Sequence, residues 1–256
     1  MKKSITTFLA VVLLFSAFAQ KAKDKDYSKE DEKIYNKLVN LYTLDKFAKC
    51  IEECESYIKS ESTARSPYPY LYMSMCYLAI YQDQDNFDMK KYKDPLKKSL
   101  SFMGRFKKKD KAGDVQKENA DHLRDLKKAT ILECATLNDK KDFKNLQNLA
   151  REVAKDYDKD EAMLILSGTY LCRSDAKPEG ERSIETGMAI LKKKKDDGNA
   201  KYEADEYDVL AQAFLAYTDY LMDSKDVAKA KTSIQMAKDI MPGNEKISKQ
   251  SDKINK

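Results

Sequence analysis

The stretch VAKAKTSIQMAKDIMPG, residues 227–243, sets Val227, Ala230, Ile234 and Ala237 at offsets of 0, 3, 7 and 10, then runs into Pro242-Gly243. Residues three and four apart share one face of an α-helix, so these four make a stripe that a neighbouring element must cover. The proline and glycine behind it end the helix. The same offsets recur in Phe47, Cys50, Cys54, Tyr57, in Leu96, Ser99, Met103, Phe106 and in Phe143, Leu146, Ala150, Val153. A less regular copy lies around residues 181–195, where Ile184, Met188 and Leu191 carry the apolar face.

Ahead of each copy runs another helix, with its face at offsets of 0, 3, 4 and 7. It reads Tyr35, Leu38, Val39, Tyr42, then Tyr70, Met73, Ser74, Tyr77, then Thr130, Glu133, Cys134, Leu137. Leu164, Ser167, Gly168, Leu171 and Phe214, Tyr217, Thr218, Leu221 complete the set. The third member is small or modest each time. The reading is all-α, with five helix pairs. Only 7 glycines and 5 prolines occur in 256 residues, sparse for tight-turned sheet and ample for helices on short connections. Ser66-Pro67 and Asp94-Pro95 place a capping side chain ahead of a first-turn proline.

In these pairs the chain resembles the tetratricopeptide repeat family, whose unit is about 34 residues of helix, turn and helix. The first helices anchored at Tyr35 and Tyr70 lie 35 residues apart, and those at Thr130 and Leu164 lie 34 apart. The other two gaps, 60 and 50 residues, imply insertions at 82–94 with 107–114 and at 174–181 with 192–201. Ala230, Ile234, Ala237 and Pro242 match the family pattern most closely. The chain departs from it in having no tryptophan and in placing Glu133 where an apolar residue is usual. Over residues 28–245 the resemblance implies a right-handed α-solenoid of about five pairs, a non-catalytic scaffold whose first helices line a concave groove. Mapped onto this chain, the groove residues are Asn36, Asn40, Tyr68, Tyr72, Gln212 and Asp219. Tyrosine and asparagine suit a protein or peptide partner, burying area with few torsions and bonding an extended backbone.

The N-terminus reads as an export signal: Lys2 and Lys3, the apolar run Phe8–Phe15, then Ala17-Phe18-Ala19. Residues 1–19 form the signal peptide, 20–27 a short polar segment, 28–245 the repeat domain and 246–256 a polar helix or tail. The apolar run falls short of the roughly 20 residues that span a bilayer, and no cysteine follows it to take a lipid. The expected location is the periplasm or cell surface of a bacterium, without a membrane span. Formal charge is +5, falling to +3 when Lys2 and Lys3 are removed, and so mild a balance gives no reason to expect nucleic acid as the partner.

Candidate chemistry is thin. Cys50, Cys54, Cys76, Cys134 and Cys172 occupy or adjoin helix-packing positions, where thiols behave as small hydrophobes; a bridge, were one to form, would join Cys54 to Cys76. His122, the single histidine, has no second ligand at metal spacing and reads as an exposed helix residue. Asp83–Asp88 fails as a calcium loop, with Phe87 at a ligand position and Asp88 where glycine is required. The sequence contains no nucleophile elbow, zinc-helix or phosphate-loop motif, so no enzyme, cofactor or metal is expected. The basic cluster from Lys90 to Lys111 sets ten cations against Asp94 and Asp110, and its Lys107, Lys108 and Lys109 are the candidate contacts for an anionic partner. That cluster would equally serve a surface glycan or lipid binder, or an enzyme accessory. A second run, Lys192–Lys195, ends another helix.

Overall fold

A computed structural model describes residues 29–199 and 201–255; the expected signal peptide and the polar segment after it lie outside them. Twelve α-helices and one short 3-10 turn make up the regular structure, with no strand among the described residues. They are α1 (Lys29–Thr43), α2 (Phe47–Lys59), α3 (Tyr68–Gln82), α4 (Pro95–Lys109), α5 (Asp114–Glu118) and α6 (Ala120–Asp139), followed by α7 (Phe143–Asp156), α8 (Glu161–Arg173), α9 (Lys177–Asp196), α10 (Ala204–Asp223), α11 (Val227–Ile240) and α12 (Glu245–Asn255). Each pair expected from the periodicity packs together: α1 on α2, α3 on α4, α6 on α7, α8 on α9, α10 on α11. None of these helices is long and apolar enough to cross a membrane.

Four of the five pairs share one turn. Asp45, Lys141, Asp175 and Lys225 each take a left-handed conformation, with φ of 54°, 57°, 64° and 63°. The amide one residue later donates to a leucine carbonyl five residues back: Lys46 to Leu41 at 3.0 Å, Asp142 to Leu137 at 2.9 Å, Ala176 to Leu171 at 3.0 Å and Asp226 to Leu221 at 2.8 Å. This closure satisfies a carbonyl that the helix end would leave open, and it turns the chain back in three residues. Asp142 and Asp226 then accept from the amides of Asn145 and Lys229, capping the second helix. Ser66 and Asp94, expected to cap α3 and α4, make no side-chain cap; the helices start where the prolines place them.

The small positions mark where the helices of a pair cross. In the second pair Ser99 Oγ donates to the Ser74 carbonyl at 2.8 Å, and the two hydroxyls meet at 3.1 Å. In the fourth, a Cβ on Gly168 would come within 2.6 Å of the Gly180 carbonyl, and one on Gly180 within 2.4 Å of the Gly168 carbonyl. Backbone touches backbone there, and α8 is buried along its whole length except Arg173.

The insertions are taken up unevenly. The first becomes the 3-10 turn Gln84–Asn86, an extended stretch anchored by Tyr92, the short α5 and an early start to α6. In the second, residues 174–181 hold only the common turn and the start of α9; the extra length is in the twenty-residue α9 and the linker behind it. The third pair is set differently from the others. It meets the second chiefly through α7 against α4, whereas α3 packs on α1 and α10 packs on α8. Of residues 246–256, read as a polar helix or tail, 246–255 belong to α12, which buries Ile247 and Ile254 against α10 and α11, and 256 lies outside the described residues.

Candidate functional site

The expected groove residues do not gather into one surface. Asn36, Asn40 and Gln212 are exposed. Tyr68 and Tyr72 are buried, which corrects their reading as ligand-facing side chains. Their rings lie 5.2 and 6.4 Å from Tyr35, and Tyr72 lies 5.9 Å from Tyr42. They fill the seam between α1 and α3, because a helix that receives neighbours on two sides has little face left for solvent. Asp219 is half-buried and taken by α12, accepting from Gln250 Nε2 at 2.8 Å and from Lys253 Nζ at 3.4 Å.

Within the basic cluster, Lys108 and Lys109 are exposed. Lys107 turns inward: its Nζ donates to the Asp156 carbonyl at 3.1 Å and sits 4.1 Å from the centre of the Tyr157 ring. Burial pushes its ammonium below the ordinary lysine value, and the Asp160 carboxylate pulls the other way. Lys107 therefore ties α4 to the end of α7 and leaves Lys108 and Lys109 as the accessible members of the trio.

The structure brings together two constellations that the sequence did not indicate. At the start of α8, Lys127, Lys159, Asp160, Glu161, Lys194, Tyr202 and Glu206 line a cavity of about 220 Å³. Its centre is the buried Glu161, whose carboxylate accepts from Lys194 Nζ at 2.8 and 2.9 Å and from Tyr202 Oη at 2.6 Å. Burial, then the Glu161 contact, drives the Tyr202 phenol well above its usual pKa, so it stays protonated and donates. Asp160 caps Met163 at 3.0 Å and pairs with Lys127 at 2.5 Å. The wall charges neutralise one another, so the cavity joins the third, fourth and fifth pairs as an electrostatic clasp.

The second constellation is an open groove of about 520 Å³ along the turn edge of the last three pairs. Asn138, Asp139, Lys141 and Phe143 come from the third pair, Cys172 and Arg173 from the fourth, Tyr220, Asp223 and Ser224 from the fifth. Phe143 is 40% exposed. Arg173 bonds Asp223 at 2.8 Å and lies 5.7 Å from the Tyr220 ring centre, so cation and ring form the floor. The common turn places these residues, since it brings the end of each first helix and the start of each second helix to the same edge.

His122 is partly buried against α3, not exposed as its sequence context indicated, and burial alone lowers its pKa to about 4. Its Nε2 lies 3.0 Å from Ser74 Oγ. Ser99 gives its proton to the Ser74 carbonyl, and His122 Nε2 donates to Ser74 Oγ in one imidazole tautomer and accepts from it in the other. Ser74 is fully buried.

All five cysteines are buried and free, as their packing positions indicated, with no Cys54–Cys76 bridge. Contacts with the Cys54 and Cys76 thiols lower the Cys50 pKa, while burial and then Cys50 raise that of Cys54, and Cys50 and then burial raise that of Cys76. Among the described residues no three histidine, cysteine or carboxylate side chains converge as metal ligands. Asp83–Asn86 is exposed, with Asn86 Nδ2 donating to Asp83 Oδ1 at 2.8 Å. Comparison of the chain with protein-family models, with curated proteins and with solved structures gives no match.

Proposed function

We propose that this chain is a non-catalytic scaffold or adaptor, a tetratricopeptide-like right-handed α-solenoid of about five pairs that binds a protein or peptide partner. The observation that carries this reading is the groove shared by three consecutive pairs, with exposed Phe143 beside Tyr220 and the Arg173–Asp223 pair. A groove of repeated turns that presents one ring, one cation and one anion in the open suits an extended segment, whose side chains meet successive pairs in order. The repeated leucine-closed turn and the small residues at the crossings support the solenoid. The signal-like N-terminus supports export to the periplasm or cell surface of a bacterium.

The site moves from the concave-face set to the turn edge because Tyr68, Tyr72 and Asp219 are occupied within the chain. A photo-crosslinking residue placed at Phe143 or Asn138, in cells, is expected to capture the same partner from both positions. Capture from Asn36 and Gln212 alone would return the site to the concave face. Capture from none of the four would end the adaptor reading.

A further inference from the structure

No lysine or arginine between Lys90 and Lys111 makes an ion pair with a carboxylate among the described residues, whereas Lys127, Arg151, Arg173, Lys194 and Lys195 all do. Some of these cations rest on rings instead. Lys98 lies 5.0 Å from the centre of Tyr77, Lys91 5.4 Å from Tyr92, Arg105 5.2 Å from Phe102 and Lys109 5.5 Å from Tyr70. Of the two acids in the stretch, Asp110 is buried and accepts from the Gln116 amide at 2.7 Å. Lys97, Arg105 and Lys108 follow one line on α4, and all three are exposed. Half-buried Phe102 lies beside them, stacked on Tyr77 with the ring planes 5° apart.

Three properties of the patch select its occupant. Every cation in it except Arg105 is lysine, a point charge without the fork that fixes one carboxylate or one phosphate in place. Neither cavity described above takes a residue from 90–111, so the patch lies apart from both. It also runs the length of α4, about 22 Å at the helical rise, and continues into Lys90, Lys91 and Lys93. An array of point charges along one helix, with the half-buried Phe102 ring among them, is complementary to a sheet of laterally mobile anions. We propose that α4 and the loop before it dock the protein peripherally on a bilayer surface of anionic phospholipid headgroups. This goes beyond the adaptor reading and stands without it.

The test is co-sedimentation of the full chain with vesicles of phosphatidylcholine mixed with phosphatidylglycerol, and with vesicles of phosphatidylcholine alone. Binding is expected only to the mixed vesicles and falls steeply with added salt. Each cation at the surface contributes about fivefold in partitioning, so Lys97→Glu, Arg105→Glu and Lys108→Glu together should lower it by about 100-fold or more. Lys192→Glu, Lys193→Glu and Lys246→Glu make the same change in net charge elsewhere on the surface and should cost far less. Circular dichroism checks both triple variants, and Lys108→Gln alone, expected to cost about fivefold, serves if the first fails to fold. No binding to mixed vesicles at low salt overturns the proposal, as does an equal loss in the two triple variants. Binding of a polyglutamate peptide without binding of vesicles also overturns it and assigns the patch to an acidic protein.

Discussion

The fourth and third helix pairs are built from the same pattern and are secured by different forces. In α8 every residue but Arg173 is buried, and the Gly168–Gly180 approach joins it to α9 backbone to backbone. In the twenty-residue α6 only Leu126, Thr130, Ile131 and Cys134 are buried, and Leu132 is 67% exposed. What attaches α6 to the pairs on either side is largely polar: Tyr81 to Glu133 at 2.7 Å, His122 to Ser74 at 3.0 Å, Lys127 to Asp160 at 2.5 Å. Helical periodicity thus fixes the existence of a helix without fixing how strongly it is attached. That strength depends on how much of its surface other helices cover.

The largest effect should come from the tightest contact. Gly180→Ala puts a Cβ 2.4 Å from the Gly168 carbonyl and 2.6 Å from Cys172 Sγ, and backbone cannot give way as a side-chain tip can. Destabilisation of about 3 kcal/mol or more is expected, lowering Tm by about 6–12 °C. A thermal melt within 2 °C of the parent, on the order of 1 kcal/mol, would mean that α8 and α9 sit farther apart than described.

The seam between α4 and α7 provides the next prediction. Asp156 is buried, its Oδ2 has no hydrogen-bond partner, and its carboxyl touches the Cα side of Gly104. Burial, then the Glu152 carboxylate, raises its pKa from 3.8 to about 6. Ionising it in the fold is therefore penalised fully above pH 6, and the penalty fades as pH falls toward 4. Asp156→Asn should stabilise the protein at pH 8 by on the order of 2 kcal/mol and be near neutral at pH 4, read from urea midpoints. An equal effect at the two pH values would show that the carboxyl is already neutral or already solvated.

A smaller effect tests the polar attachment of α6 directly. Tyr81→Phe removes the donor to Glu133 and should cost about 1 kcal/mol. Native-state hydrogen exchange should place that loss in α6 and leave α8 untouched; a uniform change across both helices would make the two pairs one cooperative unit. The smallest expected change is a gain. Lys141 and Lys225 stand at φ of 57° and 63°, a region where a side chain is strained. Lys141→Gly and Lys225→Gly should each stabilise by about 0.5–1 kcal/mol, and a loss at either would mean that the lysine makes a contact outweighing the strain.

The sequence made the helices legible because a buried stripe must recur with the helical period, and Leu137, Leu171 and Leu221, the last members of three such stripes, each close a turn, whereas in the first pair Leu41 does so in place of the expected Tyr42. It did not make the seams legible. Tyr68 and Tyr72 lie roughly opposite Tyr70 on the helical wheel, which reads as solvent-facing until α1 is seen to cover that side. His122 looked like a surface residue because its partner, Ser74, is 48 residues away. Phe143 was legible as the first residue of a packing stripe, yet it is the exposed ring of the groove. At the end of a helix one position faces both the partner helix and the open edge, and periodicity cannot divide the two roles.

Helix α12 packs against both α10 and α11. Its outward residues include Lys246, Lys249, Asp252 and Lys253, a charged and wettable face, so apolar substitutions there would offer a neighbouring molecule a helix side to dock on.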